Sequence, residues 1–205
     1  MQSQNLILNW RTAKRVERIV VPANQSQTLF IIQGLGGATD RTLEIKLNAR
    51  SELFVYGIII GNSADKLNLN VNIAHTGKGA HSHVVLKGVL TDEACGIMNG
   101  TIIIQKSGMH ADAYLEERFL LLSDKSYAKT IPNLEILADD VKAKHAATIG
   151  KVSADELFYL QSRGLSPAAA TQLIVNGFIG SIIGRLPDQK VRVTLEAAIS
   201  KKLAG

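Results

Sequence analysis

Residues 66–73, Lys66-Leu-Asn-Leu-Asn-Val-Asn-Ile73, change polarity at every step: Leu67, Leu69, Val71 and Ile73 alternate with Asn68, Asn70 and Asn72. Successive side chains of an extended strand point to opposite faces, so this stretch reads as a strand with one buried side and one wet side. Thr42–Ala49 alternates in the same way, with Leu43, Ile45, Leu47 and Ala49 against Glu44, Lys46 and Asn48. Further strands are expected at Val84–Leu90, Thr101–Ile104, Arg118–Leu122 and Leu134–Ile136. Counted from Asn70, the strand centres advance by 17, 16, 17 and 15 residues. Short strands at such even spacing indicate a repetitive β architecture. The linkers His75–Gly79, Thr91–Gly96, Lys106–Gly108 and Ser123–Lys125 lack the two-residue Asn-Gly or Asp-Gly chemistry of a tight hairpin; Asn99-Gly100 comes nearest, without clean alternation before it. This favours a coil of parallel strands over an antiparallel sandwich, although periodicity alone leaves both open.

The period changes at Ser153. Ser153-Ala-Asp-Glu156 is a capping box, in which the serine hydroxyl and the glutamate carboxylate satisfy amides of a first helical turn. Leu157, Phe158 and Leu160 supply its apolar side and Gly164 its C-terminal stop. Ser166-Pro167 starts a second helix through Leu173, Ile174 and Phe178. Pro187-Asp188 opens a third, with Val191, Leu195, Ile199 and Leu203 four apart and Lys201 and Lys202 at its negative end. The expected division is a β core over residues 1–150 and a helical domain over 151–205.

Composition narrows the function classes. Of 205 residues, 46% are hydrophobic and 20% charged, which is globular and not disordered. The net charge of +5 is spread among acids, so it suits a solvated surface better than a nucleic-acid footprint; the densest basic group, Arg11, Lys14, Arg15 and Arg18, has only Trp10 as aromatic company. A single cysteine, Cys95, excludes an internal disulfide. The N-terminus lacks a signal-peptide core, and the run Leu53–Ile60 is too short to span a bilayer. The expectation is a cytoplasmic protein.

Residues 120–160 carry a longer signature: LLLSD (120–124), PNLEI (132–136), ADDVK (138–142), HAATIG (145–150) and, running on, LFYLQSRG (157–164). In order and spacing these resemble the end of the core and the first C-terminal helices of the SufB/SufD family of iron–sulfur cluster assembly proteins, SufD more closely than SufB. SHVVLKGVLTDEACGIMNGTIII (82–104) resembles other coils of that family. The resemblance covers residues from about 80 to 180; residues 1–80 match only in pattern. It implies a mainly β protein, a right-handed parallel β-helix followed by a small α-helical unit. It implies a non-enzymatic scaffold, partnered by a SufC-like ABC-type ATPase and by a second SufB/SufD-type subunit, as a hetero- or homodimer. The helices after the core are the family's ATPase-docking region, so Leu157, Phe158, Tyr159, Arg163, Leu165 and Phe178 become docking candidates. A transient iron–sulfur cluster, bound at a subunit interface, is the implied cofactor. The even strand repeat agrees with a solenoid, whose ends need covering; the helical unit is expected to cap one end, and exposed edges of the last coils to pair with a partner.

His145 is the leading site candidate, because the matching SufD histidine is implicated in cluster assembly and an imidazole is a competent iron ligand. The chain departs from the family nearby: SufD proteins often have Cys in place of Ala143 and Gly in place of Ala146, and SufB has Glu at the latter. Matching without gaps against SufB sets Glu117 opposite that subunit's key cysteine. Glu117 reads either as a hard ligand or proton acceptor, or as a solvated ion pair with Arg118. Cys95, in a Glu-Ala-Cys-Gly linker, reads as a small apolar residue or as a sulfur or cluster ligand. With one cysteine the chain cannot supply a four-cysteine site, so other ligands must come from a partner or a second copy.

His81 and His83 face one side of a strand, a spacing that suits either a transition metal or an ordinary polar face; the nearest third ligand is His75 across a turn. Asp139-Asp140 is expected to shape the turn into the helical unit. Gly34-Leu-Gly-Gly37 lacks the Lys-Ser/Thr ending of a phosphate loop, so the ATPase must be another chain. The readings from other classes are a β-helical carbohydrate-active enzyme, disfavoured by 5% aromatics, and a purely structural oligomer.

Overall fold

The computed structural model describes residues 3–8, as backbone only, together with 16–35 and 39–203. Trp10, Arg11, Lys14, Arg15, Gly36 and Gly37 lie outside the described residues. Among these residues twelve strands run in order β1 (Ser3–Leu8), β2 (Val16–Val21), β3 (Ser26–Gln33), β4 (Asp40–Leu47), β5 (Glu52–Gly61), β6 (Lys66–His75), β7 (His81–Leu90), β8 (Cys95–Ile104), β9 (Asp112–Leu121), β10 (Tyr127–Thr130), β11 (Asn133–Ile136) and β12 (Lys142–Lys151). Three helices follow: α1 (Ala154–Ser162), α2 (Pro167–Ile183) and α3 (Gln189–Leu203).

The strands wind alternately into two parallel sheets. Sheet A has the order β1-β3-β5-β7-β9-β12; sheet B has the order β10-β8-β6-β4-β2, with β11 also on β8. Every strand ladder among the described residues is parallel, so this is a parallel β-helix and not a sandwich. Glu52 pairs with His81, His81 with Asp112 and Asp112 with Lys142, so a coil takes about 30 residues. The spacing of about 16 read from the sequence is therefore half a coil, one strand in each sheet.

The corners repeat as faithfully as the strands. Asn24, Arg50, Gly79 and His110 occupy one corner in successive coils, all with positive φ; Ser63 and Asp92 do the same at another corner. Each such corner needs a left-handed residue, a conformation that glycine, asparagine and aspartate take most easily.

Leu, Ile and Val from alternate strand positions meet in the lumen between the sheets and form one continuous core. Space inside is tight: a Cβ placed on Gly88 would lie 2.1 Å from the Phe119 ring. A second cluster lies outside the lumen, where Phe30, Ile32, Tyr56, Ile58, Ile60, Val89 and Leu120 of sheet A meet Val175, Ile179, Ile182, Leu195 and Ile199 of α2 and α3. At ~1.5–3 kcal/mol for each fully buried aliphatic side chain, this seam holds the helices firmly. Polar clasps flank it: Lys87 Nζ donates to Phe178 O (2.6 Å) and Ser181 Oγ (2.9 Å), and Lys202 pairs with Asp65 at 2.7 Å. The helical unit thus lies along the flank of the β-helix. The expectation that it caps an end is corrected: α2 and α3 lay their apolar faces on β3, β5, β7 and β9 of sheet A, across the coils, and not over the terminal strand β12.

Helix boundaries follow the capping chemistry. Ser153 Oγ accepts from Glu156 N at 3.5 Å, Ser166 Oγ accepts from Ala169 N at 3.3 Å with Pro167 in the first turn, and Asp188 accepts from Lys190 N at 2.7 Å. Gly164, at φ +93°, ends α1. Among the described residues, no single helix is long and apolar enough to cross a membrane.

Candidate functional site

Strand β9 alternates Ala113, Leu115, Glu117 and Phe119 into the lumen, all at most 1% exposed. Three of these are apolar; the fourth is a carboxylate. Neither oxygen of Glu117 has a hydrogen-bond partner. Burial pushes its pKa up to about 7; the backbone amides of Gly100 and Ile131 lie nearby and pull weakly the other way, without completing hydrogen bonds. The reading of Glu117 as a solvated partner of Arg118 is corrected. Arg118 points outward and pairs with Glu116 at 2.7 Å, because neighbours on a strand face opposite ways.

The surroundings of Glu117 are unusual in two ways. A Cβ on Gly100 would fall 2.7 Å from Glu117 Oε1, so the glycine makes room for the carboxylate. The ladder of β8 is also interrupted beside it: β10 ends at Thr130 and β11 begins at Asn133, which leaves Ile131-Pro132 between them, beside Asn99-Gly100. Ile131 N still donates to Met98 O at 2.9 Å, but Pro132 has no N–H to offer.

His145 lies on β12, the outermost strand of sheet A on this side. The register sets His145 opposite Leu115 and Ala147 opposite Glu117. His145 and Glu117 are therefore diagonal neighbours on the lumen face of adjacent strands, a separation of about 7–8 Å between backbones. The two differ in cover. Glu117 is sealed under β12 and the β10–β11 segment, whereas His145 is exposed, because β12 has a neighbour on one side only. Ala143 and Ala147 share its face, while Ala146 faces out beside Glu116 in register.

The other candidates lie elsewhere. Cys95 opens β8 on the outer face of sheet B, half-buried between Lys66 and Tyr127 in register, and does not join Glu117 or His145. His81 and His83 share the outer face of β7, and His83 stacks on Tyr114 at 4.9 Å. Its pKa is lowered by burial and then by the Arg185 guanidinium, against Glu116. His75 does not join them: it points into the lumen, fully buried, with Nε2 2.8 Å from Ser82 Oγ and a pKa lowered to about 4 by burial. Asp139 and Asp140 lie before β12, so the turn they shape leads into the last strand and not into the helices; this too is corrected.

Of the docking candidates, Phe158, Tyr159 and Arg163 are exposed. None of the α1 residues is buried; Phe158 is 74% and Tyr159 56% exposed, with the Arg163 guanidinium 5.3 Å from the Tyr159 ring centre. Leu157 and Leu165 are half-buried. Phe178 is instead committed to the seam, with Lys87 Nζ 5.0 Å from its ring centre.

Comparison with known proteins adds an independent line. Residues 13–178 match the family model described as SUF system FeS cluster assembly, SufBD core domain. The chain is 34% identical to the iron-sulfur cluster assembly protein SufD of Bacillus subtilis over 146 residues, covering 71% of this chain and 33% of that protein. It is 36% identical to an iron-sulfur cluster assembly SufBD family protein of Pyrococcus horikoshii, covering 70% of this chain and 32% of that protein. It is 28% identical to SufD of Escherichia coli, covering 83% and 41%. The chain thus spans about a third to two fifths of the length of these relatives.

Proposed function

We propose, from the premise that this chain belongs to the SufB/SufD family of iron–sulfur cluster assembly proteins, that it is a non-enzymatic SufD-like scaffold whose last coil handles nascent cluster at a subunit interface. The observation that carries this reading is the pairing of an exposed His145 with a sealed, unpartnered Glu117 on the lumen face of two adjacent strands. An imidazole and a carboxylate are competent iron ligands, and the cluster is cargo, not a resident group. Among the described residues no three His, Cys, Asp or Glu side chains come together as a metal group. The remaining ligands then belong to a second SufB/SufD-type subunit, paired on the open edge of β12, where alternate residues of a ten-residue strand offer free backbone groups.

The same reading gives α1 to an ABC-type ATPase. A helix with no buried residue and two exposed aromatics, resting on α2, is poised for a partner's groove. Deleting residues 153–205 is a poor test, since it would also strip the outer face of sheet A. The sharper one is Phe158→Ser with Tyr159→Ser in the full chain, read by pull-down with the SufC-like ATPase of the same organism. Loss of capture is expected; undiminished capture overturns the docking assignment. For the cluster, anaerobic reconstitution with iron and sulfide in the presence of the second subunit is expected to give visible charge-transfer absorption in the wild type and little with His145→Ala. Equal absorption from both would remove His145 from the site.

A further inference from the structure

The corner that leads into β9 gathers a set of side chains that the cluster site leaves unused. His110 sits there at φ +59°, in the place that Gly79 takes one coil earlier. It is tied twice to the next coil: its N–H donates to Asp140 O at 2.6 Å, and its Nδ1 lies 2.7 Å from Asp140 Oδ2. With Nδ1–H donated to the carboxylate, Nε2 is left as a lone-pair donor, the arrangement that metal-binding histidines use. Two residues further, Asp112 faces outward in register with His81 of the neighbouring strand. His81, His110, Asp112, Asp140 and Lys142 line one open hollow of about 210 Å³.

We propose that this corner binds one divalent first-row transition-metal ion through His81, Asp112 and Nε2 of His110, with Asp140 as the positioning residue for His110. Two imidazoles and one carboxylate form the donor set suited to Fe²⁺, Mn²⁺ or Zn²⁺. Adjacent strands stand about 4.8 Å apart. Ligand bonds of about 2.0–2.2 Å each allow one ion to bridge His81 and Asp112. Among the described residues no three such side chains already meet at one point. The exposed His81 and Asp112 therefore swing onto the ion, while His110 is already held. Asp112 makes no ion pair among the described residues, which leaves its charge for the ion. Lys142, opposite Asp112 on β12 and on the same lining, is the nearby positive charge that opposes the ion.

The proposal is independent of the cluster site, and the test separates the two. Zn²⁺ and, separately, Mn²⁺ are titrated into the tag-free full chain by calorimetry. One equivalent of each is expected to bind, Zn²⁺ more tightly. His81→Ala and His110→Gly should each weaken binding at least about 10-fold, and Asp140→Asn about 10-fold as an outer partner. Glycine is chosen at 110 because it keeps the left-handed corner. Lys142→Gln should strengthen binding, and His145→Ala should leave it unchanged. No saturable binding, binding that survives both histidine variants, or binding lost with His145→Ala would each overturn the assignment.

Discussion

Strands β9 and β12 lie side by side in one sheet, paired over ten positions, and yet their lumen faces live in different solvents. On β9 the inward row of Ala113, Leu115, Glu117 and Phe119 is shut away from water. On β12 the facing row of His145, Ala147 and Ile149 is exposed, Ile149 at 44%. The backbone geometry is the same; only the presence of a further coil differs. The fold thus makes a steep boundary over one strand spacing, with a dry carboxylate on one side and a wet imidazole on the other. In a solenoid each coil borrows its dryness from the next, so the last coil is where chemistry can reach the lumen.

The largest expected effect tests that boundary directly. Phe119→Ala should destabilise the chain by about 3–5 kcal/mol, since the ring fills the space left by Gly88 and Gly96 and its loss leaves a cavity. Ile149→Ala, one strand away in direct register, should cost under about 1 kcal/mol. Urea unfolding of the two variants checks the contrast, and similar losses would mean that β12 is covered in solution.

Next comes the charge trapped at the boundary. Glu117 has its folded pKa raised from 4.5 to about 7, so the folded state holds a proton more tightly than the unfolded chain does. Its contribution is intact below about pH 4.5 and is lost as pH rises through 7, a swing of about 3 kcal/mol at 1.36 kcal/mol per unit. Glu117→Gln should therefore unfold at higher urea than wild type at pH 8 and lose that advantage near pH 4.5. Pairing with the proposed second subunit should shrink the difference if a ligand or donor then reaches the carboxylate. A pH-independent offset would place Glu117 in contact with water.

His75 gives the opposite slope from the middle of the lumen. Its pKa is lowered from 6.5 to about 4, so its contribution is full above pH 6.5 and lost as pH falls toward 4. His75→Gln should flatten the acid limb of the stability profile between those values by up to about 3 kcal/mol, with protection of neighbouring amides as the readout. An unchanged acid limb would show that another group sets it.

What the sequence disclosed follows the same boundary. The middle coils were legible because their alternation is complete: Leu67, Leu69, Val71 and Ile73 cannot be read any other way. β12 was not, because its lumen face carries only Ala143, Ala147 and Ile149 around His145, too little apolar bulk to announce a strand; an open coil buries little, so period-2 patterning fades where function is expected. Glu117 was misread for a related reason. Starting a strand at Arg118 hid the row Ala113, Leu115, Glu117, Phe119, in which a carboxylate stands where leucine would be routine, and that row was the available signal. His110 and Asp140 were hidden by the corner, whose repeat through Asn24, Arg50 and Gly79 becomes visible only once the coil length is known. The helices were legible from caps alone, but their seat on the flank was not, since pairing of two apolar faces is a tertiary choice.

The smallest expected effect concerns the region with least cover. α1 buries no residue, so its ends matter more than its faces. Ser153→Ala removes the hydroxyl that accepts from Glu156 N, a loss of about 1 kcal/mol in local helix stability. In α2 the same change would be masked by Val175, Ile179 and Ile182 in the seam. In α1 nothing masks it: hydrogen exchange across 154–162 should accelerate about 5-fold, at 1.4 kcal/mol per factor of ten, while the urea midpoint of the β-helix stays put. If the midpoint moves with the exchange rate, α1 is coupled to the core and cannot be the free arm that docking requires. If only exchange responds, the helix that carries Phe158 and Tyr159 is energetically detached from the coils.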